Sequence, residues 1–168
     1  MKIAVEKILD DMKESVEEVF STMLDTVATI IESSELGDGG QPAAPVEDHV
    51  EDHVEVEAIV DFFGDPNGSV VLRATAEGAA DIARKLLMME DDESVDLEEI
   101  EDALGECANM VTGSLKTRAL DPHGSFQLEP PRIDTRVNID NNHHAGSLVF
   151  ELHQGSVAVE IWLSEVVG

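Results

Sequence analysis

The stretch that most constrains this fold is residues 97–118, Leu-Glu-Glu-Ile-Glu-Asp-Ala-Leu-Gly-Glu-Cys-Ala-Asn-Met-Val-Thr-Gly-Ser-Leu-Lys-Thr-Arg. It reads as one long helix. Asp96 can cap its N-terminus, and Glu99, at the third helical position, completes the pattern of a capping box. Glu98, Glu99 and Glu101 crowd the positive end of the helix dipole, and Lys116 and Arg118 stand near the negative end. At about 100° per residue, Leu97, Ile100, Leu104, Cys107, Ala108, Val111 and Leu115 fall on one apolar side, which should face a core. Asp102, Glu106, Asn109, Gly113 and Lys116 fall on the opposite side. Glu106 and Asn109 are three apart, so their side chains are neighbours. Gly113, one turn on, has no side chain to hold a partner away. Glycine inside a helix costs roughly 1 kcal/mol relative to alanine, so this one is expected to have a reason.

Around this helix the pattern switches between periods. Ile8, Met12, Val16, Val19, Phe20, Met23, Val27 and Ile30 recur at three and four, which predicts an amphipathic helix over 3–32. Residues 33–53 read as an acidic loop rich in Ser, Gly and Pro. The loop contains a short repeat, Glu47-Asp48-His49-Val50 and Glu51-Asp52-His53-Val54. On a helix His49 and His53 could share a metal. The repeat leads straight into a strand, so a solvated loop and no metal site is expected. His143-His144 reads as another polar loop. Val54, Val56, Ala58, Val60 and Phe62 alternate with acids as in a half-buried strand. A turn at 64–68 and a return strand at 69–74 follow. Thr75 can cap the next helix, whose buried stripe is Ala79, Ile82, Ala83 and Leu86. After the central helix come an extended stretch at 126–129 and alternating runs from Ile133 to Ile139, from Leu148 to Leu152 and from Val157 to Leu163. The order α-β-β-α-α-β-β-β(-β) predicts an α+β fold, helices laid on an antiparallel sheet, in one domain over 1–168.

Charge and composition narrow the function. Ten basic against 37 acidic residues gives 10 − 37 = −27, which argues against nucleic acid and anionic membrane partners. One cysteine permits no internal disulfide, and no apolar run approaches the roughly 18 residues that span a bilayer. Glu6, Asp10 and Asp11 stand where a signal peptide would be apolar. A cytoplasmic location is expected. The chain has no Gly-rich phosphate loop, no Cys-x-x-Cys and no serine or cysteine triad. Cys107 lies on the buried side, as packing. A self-contained active site is hard to assemble, which fits a protein whose chemistry is completed in a partner's site. By pattern alone, Glu106 and Asn109 are a solvated helix face.

The string Gly105-Glu106-x-x-Asn109-Met110-x-x-Gly113, preceded by Asp102-Ala103-Leu104, resembles the active-site helix of the CheC/CheX/FliY chemotaxis phosphatases. Thr75–Met89 is similar to that family's preceding helix, and Leu128-Glu129-Pro130-Pro131 to the double-proline step after the active helix. The single motif and the chain length fit the CheX branch. Cys107-Ala108 inside the motif and the acidic insert before the first strand depart from the pattern. The resemblance implies a phosphatase for the phosphoaspartate of a CheY-like response regulator. Asn109 would orient the attacking water, and Glu106 would pair with the regulator's active-site lysine. Asp102, Gly113 and Lys116 are the candidate partner contacts. No cofactor is expected in this chain; a divalent metal, Mg2+, is expected in the regulator. The alternative is a non-catalytic adaptor of the same fold that binds a regulator or a flagellar-switch protein. A homodimer is also expected. CheX-type relatives pair through sheet edges, and Val157, Val159, Ile161 and Leu163, with Trp162 on the other face, read as a strand buried on both sides or at an interface, its edge a liability if left unpaired.

Overall fold

The computed structural model of the chain describes residues 4–35, 55–133 and 143–164. Helix α1 spans Val5–Met23, followed by strands β1 (Thr29–Glu35), β2 (Glu55–Phe63) and β3 (Gly68–Thr75). Helices α2 (Ala76–Leu86) and α3 (Leu97–Leu115) come next, and a π-helical turn, Lys116–Leu120, continues α3. The chain then adds β4 (Gln127–Leu128), β5 (Arg132–Ile133), β6 (His143–Glu151) and β7 (Ser156–Leu163). All pairings are antiparallel, in the order β1-β6-β7-β3-β2-β4, with β5 also on β2. Period-2 alternation puts Val60, Phe62, Leu72, Phe150, Val159 and Ile161 into one core with Met12, Val16 and Phe20 of α1 and Leu104, Val111 and Leu115 of α3. The α+β layout expected from the sequence is the one observed.

Four expectations need correction. The first helix ends at Met23, not at residue 32. Asp25 turns into the left-handed region (φ 47°), and Thr26 N donates back to Phe20 O at 3.0 Å. The β-branched run Thr29-Ile30-Ile31 then opens an edge strand on β6, Thr29 and Ile30 pairing with it and the register shifting at Ile31. The predicted loop 33–53 therefore starts inside β1, at Ser33–Glu35; its remainder, with His49 and His53, lies outside the described residues, as do Thr135, Val137 and Ile139. His143 and His144 are no loop: they open β6, and His144 stands opposite Trp162. Finally, β7 is no sheet edge. It lies between β6 and β3, and the open edge on that side of the sheet is β1.

The sheet face opposite the helices carries a polar network rather than a second core. Arg73 Nε donates to Glu57 Oε1 at 2.8 Å, and Arg73 Nη1 donates to Glu160 Oε1 at 2.9 Å. Trp162 Nε1 donates to Glu160 Oε2 at 3.0 Å, and the His144 ring meets Trp162 edge-on at 5.0 Å. Burial of the His144 ring pushes its pKa below the ordinary imidazole value, against the pull of Glu160.

Candidate functional site

Helix α3 starts as its sequence dictates. Glu99 N donates to Asp96 Oδ1 at 2.8 Å and Asp96 N to Glu99 Oε2 at 3.3 Å, a complete capping box. Burial begins one turn later than the apolar stripe predicts: Leu97 is 61% exposed and Ile100 only partly buried, whereas Ala103, Leu104, Cys107, Ala108, Val111 and Leu115 are buried. The helix therefore turns a fixed face outward.

Asp102 and Glu106 are exposed on that face, and Asn109 and Gly113 are half-buried. None of the Asp102, Glu106 and Asn109 side chains has a hydrogen-bond or ion-pair partner among the described residues. An unengaged carboxamide beside a carboxylate offers both donors and an acceptor to whatever docks there. A Cβ added at Gly113 would meet nothing within 4 Å. Packing among the described residues therefore does not require this glycine, which leaves open surface one turn beyond Asn109. Gly105, on the flank, packs against Pro131: a Cβ there would lie 3.7 Å from the proline ring, an ordinary contact. This places the double-proline segment beside the site helix.

Lys116 is held differently from the other candidates. Its Nζ donates to both carboxylate oxygens of Asp121, at 2.9 and 3.0 Å. The spacing of five brings the two residues together because the chain has widened into the π-helical turn. Sequence reasoning missed Asp121, because nothing in the sequence announces that change of period. It placed Arg118 at the helix end but missed its reach across to Glu14 and Glu18, which ties α1 to the end of the site helix.

Burial pushes the Cys107 thiol up to about 12, with the Glu106 charge adding to the shift. The thiol stays protonated and is packing, not a nucleophile. Among the described residues no group of three or more His, Cys, Asp or Glu could hold a metal ion, and no helix is long and apolar enough to cross a membrane.

The fold is shared with solved structures. A CheC-like superfamily protein from Shewanella sp. PV-4 superposes with a TM-score of 0.71 at 21% identity, over 95% of this chain and 98% of that one. A chemotaxis protein CheX from Desulfovibrio desulfuricans gives 0.70 at 20%, over 93% and 98%. The CheX–CheY–BeF3–Mg2+ complex from Borrelia burgdorferi gives 0.67 at 18%, over 94% and 97%. No curated protein matches the chain. The family model described as chemotaxis phosphatase CheX matches residues 56–153, 98 of the 168 residues and the whole of the site helix. With that match over more than half its length, the chain belongs to the CheX family.

Proposed function

We propose that this protein hydrolyses the phosphoaspartate of a CheY-like response regulator by presenting Asn109 and Glu106 to the regulator's own active site. The observation that carries the reading is the state of these two side chains. They stand one turn apart on the outward face of a capped helix, with no partner in the described fold and clear surface at Gly113.

The reaction leaves little for this chain to supply. A phosphoaspartate is an acyl phosphate, and water attacks the phosphorus in line. The phosphoryl charge is met within the regulator by a lysine and by a divalent metal, expected to be Mg2+. The missing component is an oriented water. The Asn109 carboxamide can hold that water while staying neutral; a carboxylate there would repel the phosphoryl oxygens. Glu106 can form a charge-assisted contact to the regulator's lysine and fix the helix in register. Asp102 and Gly113 lie on the same face as contacts for the docked domain, with Lys116 at its far end. The direct experiment is decay of a phosphorylated receiver domain with and without this protein. An unchanged decay rate with binding intact would leave an adaptor.

Glu106→Ala is expected to act on binding. The half-saturating concentration should rise about tenfold or more, the worth of a charge-assisted contact, with the rate at saturation retained. A titration of rate against protein concentration separates the two parameters, and a fall in maximal rate alone contradicts the assignment.

The proposal includes a homodimer, now through a different edge. β1 ends the sheet, and Ile31 in it and Val27 before it are 56% and 75% exposed. Pairing along β1 would satisfy its open backbone groups and cover this apolar surface. The charge of −27 per chain opposes association at low salt; at physiological ionic strength screening acts beyond about 8 Å. Sedimentation at micromolar protein should give a dimer at high salt and dissociation as salt is lowered. A monomer at both salts excludes it.

A further inference from the structure

Gly113 runs against the preference of the helix that contains it. At Gly64, Gly68, Gly78 and Gly155 an added Cβ would run into Phe126, Phe62, Ser156 and Gly78 in turn, so packing dictates those glycines. At Gly113 it would meet nothing within 4 Å, and the backbone is ordinary helix, not the left-handed conformation that Gly155 takes at φ 71°. Alanine would make the better helix at this position. The side chains one turn on also leave the spot clear. A helical residue leans back over the turn before it. Lys116 is drawn the other way, its Nζ donating to both carboxylate oxygens of Asp121 at 2.9 and 3.0 Å. Thr117 turns its hydroxyl onto Gly113 O at 3.2 Å, and the Lys116 N–H donates to the same carbonyl. The result is a notch in the helix face whose carbonyl already has its donors, so a neighbour can lie on it without orphaning an acceptor. By the helical repeat, Gly113 stands about 6 Å along the axis and about 40° round from Asn109, and about 20° round from Glu106.

We propose that Gly113 is the point of closest approach to the regulator, where a main-chain segment of the regulator packs directly on the α3 backbone and sets the depth to which Asn109 enters. The inference rests on the reading of α3 as the regulator-docking helix. Two backbones come into contact where no Cβ stands between them. A methyl group at position 113 would hold them apart by about 1.5 Å, one carbon–carbon bond. In-line attack tolerates little of that: an error of about 1 Å in placing the reacting groups costs on the order of 100-fold in rate. Gly113 is thus a positioning residue, acting through the water that Asn109 holds.

The test compares Gly113→Ala and Gly113→Leu with wild type in three measurements: thermal unfolding, binding of a CheY-like receiver domain loaded with beryllofluoride and Mg2+, and decay of the phosphorylated receiver. Gly113→Ala should raise the thermal midpoint by about 2–4 °C and yet lower the saturating rate of decay about 100-fold. A role in the stability of the helix would move both in the same direction. Gly113→Leu should unfold no lower than wild type and bind the receiver about tenfold more weakly or worse. A Gly113→Ala protein with wild-type affinity and wild-type saturating rate overturns the inference and spares the catalytic reading. A lower thermal midpoint for Gly113→Ala assigns the glycine to the π-helical turn and overturns the inference as well. Wild-type binding without accelerated decay overturns the catalytic reading, while loss of that binding in Gly113→Leu still upholds the close approach. A wild-type protein that does not bind the receiver overturns both.

Discussion

Asn109→Ala is expected to abolish the acceleration of phosphoaspartate decay while the fold and the regulator affinity survive. The side chain is half-buried and has no partner among the described residues, so its removal opens no hydrogen-bond network. Alanine is also the better helix former, and the neighbouring core residues Cys107, Ala108 and Val111 are untouched. On the proposed mechanism the variant lacks the group that holds the water, a contact made only as the reaction proceeds, and such losses fall on the maximal rate. Removing one well-placed polar group of this kind costs about 100-fold to 1000-fold in rate in other systems. The check is a saturation curve for the variant against a phosphorylated receiver, with circular dichroism on the same sample. A near wild-type rate at saturation would mean that the water is held by something else. Asn109→Asp provides a second arm: nearly isosteric, it places a negative charge toward the phosphoryl oxygens and should be no better than alanine.

The second large effect concerns the opposite side of the sheet. Arg73→Ala is expected to destabilise the fold by about 3–5 kcal/mol, the cost of breaking a mostly buried ion pair from one side. The guanidinium lies between Glu57 and Glu160, whose side chains are only 12% and 10% exposed. Without it, Glu57 and Glu160 lose the guanidinium that bridges them while staying close to the sheet surface with little water. Chemical denaturation should report the loss, and thermal unfolding should move by roughly 10 °C for a chain of this size. A change below about 1 kcal/mol would show that the carboxylates rehydrate freely. Glu160→Gln in the Arg73→Ala background should recover part of the stability, because the pair is coupled rather than additive. Trp162, bonded to the same Glu160, gives an optical probe at the centre of the network.

These two sites differ in how far the sequence alone exposed them. The outward face of α3 was legible up to Leu115: a capping box, an apolar stripe and the polar residues opposite it are encoded within contiguous residues, although Leu97, counted in the stripe, is exposed. The Thr75 cap was legible for the same local reason, its side chain accepting from Gly78 N at 3.0 Å. The Glu57–Arg73–Glu160 network was not. Its members come from three strands, and only the order in which the strands pair brings them together. The failure at the first helix has another origin. Val27 and Ile30 continue the three-and-four spacing of α1 by coincidence, although Val27 is exposed and Ile30 belongs to an edge strand. Periodicity detected the apolar residues there but missed the left-handed turn at Asp25, where the chain reverses. Nor did periodicity show the π-helical turn after Leu115, which alone explains why Lys116 finds Asp121.

The place of β7 between β6 and β3 bears on the order in which the molecule assembles. Without β7 the sheet is two separate ladders, β1 with β6 and β3 with β2. β7 is also the last of the seven strands to leave the ribosome. The segment from β2 through α3, which bears Glu106 and Asn109, is synthesised well before the strand that joins the halves. Pairings this distant in sequence form late and slowly. A nascent chain halted before Ser156 would thus carry the whole motif on an unfinished platform. Regulator-directed chemistry should appear abruptly on release of β7 rather than accumulate with chain length.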